Sequence, residues 1–124
     1  MSNNEKNIQA INDYIKKFMW MELAYEVINL EQIKIVGSID LVWEEPYIEI
    51  IFDKPITIFT PLNDWITDDE KPLVQLATKQ EAIGVIKYVS DDFPVFKINA
   101  DGYDEAPVWI AAKSISFNIK KQPE

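Results

Sequence analysis

The side chains that could take part in chemistry are few in kind. The chain of 124 residues contains no histidine and no cysteine, and its 12 basic residues are all lysines. Base-activated nucleophiles and thiolate metal sites need His or Cys, and bidentate phosphate recognition needs the guanidinium fork of Arg. Any catalysis would therefore depend on carboxylates, lysine, tyrosine or hydroxyl groups. We expect a protein that acts by binding, without a cofactor or a metal ion.

The acidic segment 99–105 has the composition of a calcium loop but not its register. If Gly102 is placed at the sixth position of an EF-hand loop, Lys97 occupies the first ligand position and Val108 the position of the bidentate glutamate. The segment is therefore predicted to be a turn, because Asp and Gly tolerate the left-handed conformations that turns require.

A second pattern, Asp53 with the segment 69–71 (Asp-Glu-Lys), has the residue types of a metal-dependent nuclease site. Such a site needs the acid and the lysine on a buried strand, whereas here Thr67 and Pro72 flank them in an acidic loop. The net charge of −9 also opposes a polyanionic substrate. We predict a solvated loop instead.

The loop predicted for residues 60–72 combines an aromatic residue with the densest acid of the chain. An aromatic anchor ringed by charge has the composition of an interface hot spot. The alternative is that Trp65 folds back to cover a sheet edge, because large aromatic side chains are highly buried on average. On the first interpretation, the partner-binding residues are Trp65, Asp64, Asp68, Asp69 and Glu70.

The N-terminal segment has the pattern of an amphipathic helix. Ser2 and Glu5 stand in the spacing of a capping box, and an apolar stripe follows at helical spacing. Residues 20–29 fit both a helical stripe and a strand-like alternation, and helix propensity favours helix. The stripe consists of Ile8, Ile11, Ile15 and Phe18.

From Ile33 onward the apolar period changes to two, which indicates strands. Residues 53–55 (Asp-Lys-Pro) are predicted to be a tight turn, and Trp43 and Trp109 to be core residues. The apolar phase changes across 113–114, which suggests a β-bulge or a bend. The predicted strands are 33–43, 47–52, 56–59, 73–77, 82–89, 95–99 and 108–119.

One domain is predicted to span residues 1–124, with 1–29 mainly helical and 33–119 rich in β-structure. One helix followed by strands in sequence order favours antiparallel connections over βαβ units. The predicted fold class is α+β, with an N-terminal amphipathic helix packed on a mainly antiparallel, curved β-sheet of about seven strands. The sheet is expected to form a sandwich or a partial barrel.

The charge and composition also restrict partners and location. A net charge of −9 repels nucleic-acid phosphate and anionic membranes. No window approaches the ~20 apolar residues of a membrane span, and a cysteine-free chain favours a reducing compartment. We expect a cytoplasmic protein with no nucleic acid or membrane partner.

The expected function is that of a small acidic protein-binding or neutralising module. Immunity partners of bacterial toxins and phage-encoded inhibitors, which dock on a more basic protein, are of this kind. The alternatives are a small-molecule-binding domain with a pocket between the helix and the concave sheet, and a small enzyme using Asp, Lys and Tyr. A filled core with an acidic outer face favours the first, and an aromatic-lined pocket favours the others.

Overall fold

The fold is an N-terminal helix packed on a seven-stranded antiparallel sheet that curls into a half-barrel. This computed structural model describes residues 2–86 and 89–123. The strand order is β4-β1-β2-β3-β7-β6-β5, so the predicted α+β class with a curved sheet is confirmed. The elements are α1 (Asn3–Ile15), β1 (Glu22–Ile28), β2 (Gln32–Ser38), β3 (Ile48–Phe59), β4 (Asp64–Ile66), β5 (Val74–Leu76), α2 (Lys79–Ile83), β6 (Val95–Ile98) and β7 (Val108–Ile119).

Helix α1 begins with the predicted capping box. The Ser2 hydroxyl accepts a hydrogen bond from the Glu5 amide, and the Glu5 side chain bonds back to Ser2. Ile8, Ile11 and Ile15 are buried against the concave face of the sheet, as the stripe predicted.

Asparagines of α1 also bond to strand backbone that no neighbouring strand covers. Asn12 donates to the Val74 carbonyl at 2.8 Å and accepts from the Val74 amide at 3.0 Å, at the edge strand β5. Asn7 donates to the Ile115 carbonyl, and Asn4 accepts from the Ile115 amide. Ile115 lies beyond the part of β7 that pairs with β6. The helix therefore completes the sheet by hydrogen bonds as well as by apolar contact.

The helix predicted for residues 20–29 is wrong, because this segment forms strand β1. It pairs with β2 on one side and with β4 on the other, so its backbone groups form hydrogen bonds with two neighbouring strands instead of within a helix. Met21 and Leu23 are fully buried, in agreement with the alternating pattern. Tertiary pairing here outweighs helix propensity.

Strand β3 is continuous where the sequence predicted a tight turn at 53–55. Lys54 adopts a left-handed conformation with φ of 49°. The chain bends there without reversing, because β7 pairs with β3 on both sides of the bend. The two predicted strands 47–52 and 56–59 are therefore one strand, with a register shift between Pro55 and Thr57.

The strand predicted at 33–43 ends earlier, at Ser38. The Asp40 carboxylate accepts hydrogen bonds from the amides of Val42 and Trp43 and turns the chain. Trp43 is 85% exposed, so its predicted core position is wrong, whereas Trp109 is buried as predicted.

The strand predicted at 82–89 is also wrong in its described part, which contains the end of helix α2 and the turn after it. Thr78 and Glu81 form a capping box whose hydrogen bonds favour a helical start. Lys87 and Tyr88 lie outside the described residues.

The strands predicted at 73–77, 95–99 and 108–119 are confirmed as β5, β6 and β7. The phase change across 113–114 is present, because Ala112 and Ile115 both face the main core. The register shift itself lies opposite, on β3. Trp109 and Ala111 on the other face pack with Ala82 of α2 in a second cluster.

The space between α1 and the concave sheet is filled by apolar side chains. The largest fully buried ones are Phe52, Phe96, Ile11, Met21, Leu23, Ile33, Ile35, Ile48, Ile50, Ile98, Ile110 and Ile115. Across residues 2–86 and 89–123, the structure contains no helix with the length and apolar character needed to span a membrane.

Candidate protein-binding surface

Trp65 lies in the core, although the sequence also allowed it to be an exposed anchor. It is the middle residue of β4 and is 7% exposed, and its ring meets that of Tyr25 edge-on at 5.3 Å between centroids. Its indole N–H has no hydrogen-bond partner among the described residues. The ring is therefore not presented to a partner, and the structure favours the alternative in which it covers the sheet.

The four acids predicted beside Trp65 do lie at the surface. Asp64 and Ile66 point outward on either side of the buried ring, because side chains alternate along a strand. Asp69 and Glu70 are exposed, and the half-buried Asp68 accepts a hydrogen bond from the Glu70 amide at 2.8 Å. This bond gives the acidic segment a defined turn.

A second acidic segment, residues 101–105, lies against the first. The Lys71 ammonium donates to the carbonyls of Tyr103 and Asp104, each at 2.7 Å. The Asp101 amide donates to the Ile66 carbonyl at 2.8 Å. The two segments are separate in the sequence, whereas the fold joins them into one acidic area.

An exposed apolar group borders this area. Met19 is 90% exposed, Trp20 is 44% exposed and Ile66 is 45% exposed. Next to Met19 and Trp20, the backbone is held by two hydrogen bonds between Met21 and Thr67. The Met21 amide donates to the Thr67 hydroxyl, and the Thr67 amide donates to the Met21 carbonyl, each at 3.0 Å. Neither Met19 nor Trp20 was predicted to be a binding residue, because a helix was predicted through 20–29, where the structure has the connection between α1 and β1.

Two shallow depressions show that the acidic and apolar residues are contiguous. One of about 210 Å³ lies between the end of α1 and residues 67–73, and one of about 370 Å³ lies between Trp20, Ile66 and Asp101. Met19, Thr67 and Asp69 line both of them. We call the whole region the acidic–apolar surface, defined by Met19, Trp20, Ile66, Asp64, Asp68, Asp69, Glu70 and Asp101.

The side chains of Asp64, Asp69, Glu70 and Asp101 form no ion pair within the part of the chain that the structure describes. They share this with acids elsewhere, such as Glu31 and Asp92. The acids of this surface are distinguished by their position, because they come from two segments and border exposed apolar side chains. The carboxylates of Glu49 and Glu81, in contrast, are paired with lysines.

Glu81 accepts a hydrogen bond from the Lys97 ammonium at 2.6 Å, and this bond together with the Thr78 amide lowers the pKa of Glu81 to about 2. Glu49 is buried on the outer face of the sheet with Lys34 at 3.2 Å and Lys120 at 3.4 Å. Burial alone would raise the pKa of Glu49, but the hydrogen bonds from Lys34, Asn118 and Lys120 outweigh it and lower the pKa.

The exposed area continues from Met19 toward the turn after β2, where its lining is mixed. A third depression, of about 420 Å³, is lined by Met19, Ile39 and Tyr47 together with Lys17, Glu44 and Lys121, among others. The next residues of this turn include Val42 and Trp43, whose side chains are largely exposed. This extension was also not predicted, because the alternating pattern continued through Trp43.

No protein-family model, curated protein or solved structure matches this chain.

Proposed function

We propose that this protein is a small acidic protein-binding module that docks on the basic surface of another protein, as immunity proteins and inhibitors do. The observation that carries the proposal is the acidic–apolar surface, in which unpaired acids from two remote segments surround exposed Met19, Trp20 and Ile66. The lack of cysteine favours a reducing compartment, so we expect the binding to occur in the cytoplasm.

The composition of this surface matches what protein interfaces use. Tryptophan and methionine are enriched at interface centres, and large losses of affinity concentrate on a few such residues. Surrounding acids accelerate association with a cationic partner and disfavour anionic competitors. Trp20 therefore takes the anchor role that the sequence suggested for Trp65, while Asp64, Asp68, Asp69 and Glu70 keep the role predicted for them.

The positioning of the surface also supports the proposal. Lys71 uses its ammonium on two backbone carbonyls rather than on the neighbouring carboxylates. It therefore holds the two acidic segments together without neutralising them by direct contact. The filled space between α1 and the sheet favours an outer binding surface over the internal pocket of the alternative hypothesis.

The test begins with capture of a partner from lysate of the source cell and its identification by mass spectrometry. Binding kinetics are then measured for Trp20→Ala and for the double variant Asp69→Asn/Glu70→Gln at two ionic strengths. We expect Trp20→Ala to speed dissociation and to weaken binding by about 2 kcal/mol, as hot-spot truncations do. The acid-neutralised variant should mainly slow association and show a weaker salt dependence.

Matched controls lie at the far end of the β1–β2 hairpin and beyond α2. Leu30→Ala removes an exposed apolar side chain, and Glu31→Gln/Asp92→Asn removes the same charge, away from the acidic–apolar surface. If the control variants weaken binding as much as the test variants, the partner docks elsewhere and the assignment of this surface is wrong.

A further inference from the structure

The depression of about 370 Å³ beside Trp20 has a chemistry of its own within the acidic–apolar surface. Its lining consists of Met19, Trp20, Ile66, Thr67, Asp69 and Asp101. The two carboxylates come from different loops, and no lysine lines the depression. It therefore offers negative charge and an exposed indole to the same ligand, with apolar side chains between them.

These walls are unsuited to a bare metal ion and suited to an organic cation. A metal ion needs several oxygen ligands in a closed shell, and here thioether, indole and aliphatic groups occupy much of the wall. An organic cation gains from the same groups, because an indole face attracts it and the apolar walls cover its alkyl stem. The carboxylates add charge-assisted hydrogen bonds.

We infer that this depression receives a cationic side chain of the partner protein, with arginine as the best fit. This inference rests on the proposed function, since it names the partner group that the surface recognises. A guanidinium can lie flat on the Trp20 indole while its N–H groups reach a carboxylate, whereas an ammonium concentrates its charge at one point and is more strongly hydrated. The structural basis is the convergence of Asp69 and Asp101 on the exposed Trp20.

The Asp101 backbone bond explains how the depression is kept in shape. Its amide donates to the Ile66 carbonyl at 2.8 Å, which fixes the segment after β6 against β4. The carboxylate of Asp101 is left exposed by this arrangement. On the other side, the Met21–Thr67 pairing holds the backbone next to Trp20. The backbone that carries the ligand groups is therefore held before binding, which lowers the entropic cost of recognition.

The experiment uses N-acetyl-arginine-methylamide as a probe and the isosteric, uncharged N-acetyl-citrulline-methylamide as its match. Two-dimensional ¹H–¹⁵N NMR of the full chain follows the indole N–H of Trp20 and the amides of 66–69 and 101 during titration. We expect saturable shifts at these positions with the arginine probe in the millimolar range, the scale of a few kcal/mol. The citrulline probe should bind at least about 10-fold more weakly, because it lacks the charge-assisted bonds.

The variant Asp69→Asn/Asp101→Asn should weaken the arginine probe by about 10-fold or more, while Glu31→Gln/Asp92→Asn should leave it unchanged. Both variants keep Trp20, so the same indole signal reports on each of them and on their folding. Equal binding of the two probes would overturn the inference and leave an apolar contact only. The inference would also be overturned by weak chemical-shift changes spread evenly over acids of the whole surface. It would equally be overturned if no chemical shift changed at 50 mM probe, roughly 50 times a 1 mM dissociation constant.

Failure of this inference is distinguishable from failure of the proposed function. If the probe does not bind but Trp20→Ala weakens a captured partner, the docking surface stands and the arginine subsite is wrong. If the probe binds and no variant of the acidic–apolar surface affects a captured partner, the subsite exists but does not serve the proposed docking.

Discussion

Gly37 lies on β2 at a point where core side chains leave no room for a methyl group. A Cβ atom at Gly37 would lie 2.8 Å from the Met21 Sδ, 3.0 Å from a Leu23 methyl carbon and 3.1 Å from a methyl carbon of Ile48. Gly37→Ala should therefore lower the free energy of unfolding by about 1–3 kcal/mol, the cost of overpacking. Gly84→Ala is the matched control, because its nearest neighbour would be at 3.5 Å and its φ is −75°. Denaturant titration of both variants checks this, and equal stabilities would show that Met21 yields freely.

The two tryptophans around which the binding hypothesis turns should differ in what they contribute to folding. Trp65→Ala should lower the free energy of unfolding by about 3–5 kcal/mol, because it empties a site in the core. Trp20→Ala should change it by less than about 1 kcal/mol, because nearly half of the side chain is exposed. Denaturant titration of each variant provides the measurement. A folded, fully stable Trp65→Ala would mean that the buried position of this ring is wrong.

Glu81 should make stability depend on acid pH. Lys97 and the Thr78 amide lower its pKa from 4.5 to about 2 in the folded protein. Between these two values the unfolded chain binds the proton more tightly, so protonation favours unfolding and stability falls as the pH falls from about 4.5 to about 2. Melting temperatures measured across this range should fall less steeply for Glu81→Gln than for the unmodified chain. Glu31→Gln is the control, and identical slopes for all three proteins would exclude the role of Glu81.

The tryptophans also show how far single residues could be predicted. The sequence placed Trp109 correctly, because it lies on a long strand whose alternation is clear. It left Trp65 open, because β4 has only three residues and its alternation of Asp, Trp and Ile is too short to recognise. Trp43 was predicted wrongly and Trp20 was not singled out for a different reason: their exposure depends on where β2 ends and β1 begins, and local patterns do not determine element ends well.

At the scale of elements, α1 should contribute hydrogen bonds to the sheet as well as apolar contacts. Asn12→Ala would leave the amide and the carbonyl of Val74 without their partner. Because both groups are partly buried, we expect the free energy of unfolding to fall by about 2–6 kcal/mol, roughly 1–3 kcal/mol for each orphaned group. Gln9→Ala, at an exposed position of the same helix, is the control for helix propensity.

Hydrogen exchange of the Val74 amide supplies the specific readout for Asn12→Ala. This amide should lose protection in the variant while the amides of β2 and β3 keep theirs. Unchanged protection at Val74 would show that the hydrogen bonds to Asn12 do not hold this edge strand.

Two elements with clear local signals were predicted well, whereas two that depend on distant pairing partners were not. The capping box of α1 and the long alternation of β7 each lie within one contiguous segment, and both elements were predicted. The strand β1 and the unbroken β3 depend on partners far along the chain: Leu23 pairs with Gly37 and Trp65, and Pro55 pairs with Ala112. The pairing partner of a residue is not contained in its own segment, so a helix and a turn were predicted there instead.

At the scale of the whole molecule, the predicted number of about seven strands was correct, although several of the predicted strands were not the observed ones. The described part of the predicted strand 82–89 contains the end of α2 and no strand, and two predicted strands are the single strand β3. Strands β1 and β4 lie where a helix and a loop were predicted. The fold class was still predicted correctly, because it depends on the total amount of alternating apolar sequence and on one amphipathic helix. The acidic–apolar surface did not follow from the sequence in the same way, because it combines residues 19–20, 64–70 and 101 that only the fold brings together.

The unpaired acids of this surface should reduce the stability of the isolated protein. Folding brings Asp69, Glu70 and Asp101 together in a chain with a net charge of −9, and none of them forms an ion pair among the described residues. Like charges on neighbouring side chains cost a few tenths of a kcal/mol per pair. The triple variant Asp69→Asn/Glu70→Gln/Asp101→Asn should therefore be more stable than the unmodified chain by about 0.5–1 kcal/mol at low salt.

Salt distinguishes this repulsion from other effects of the same substitutions. At 1 M ionic strength the Debye length is about 3 Å, so the gain in stability should disappear. Denaturant titrations of both proteins at low salt and at 1 M sodium chloride provide the measurement, with Glu31→Gln/Asp92→Asn as the control. A triple variant that is less stable than the unmodified chain would mean that these acids maintain the fold, and the argument that they are held available for a partner would fail. A variant that is more stable but binds a captured partner more weakly would show that stability is reduced here in favour of binding.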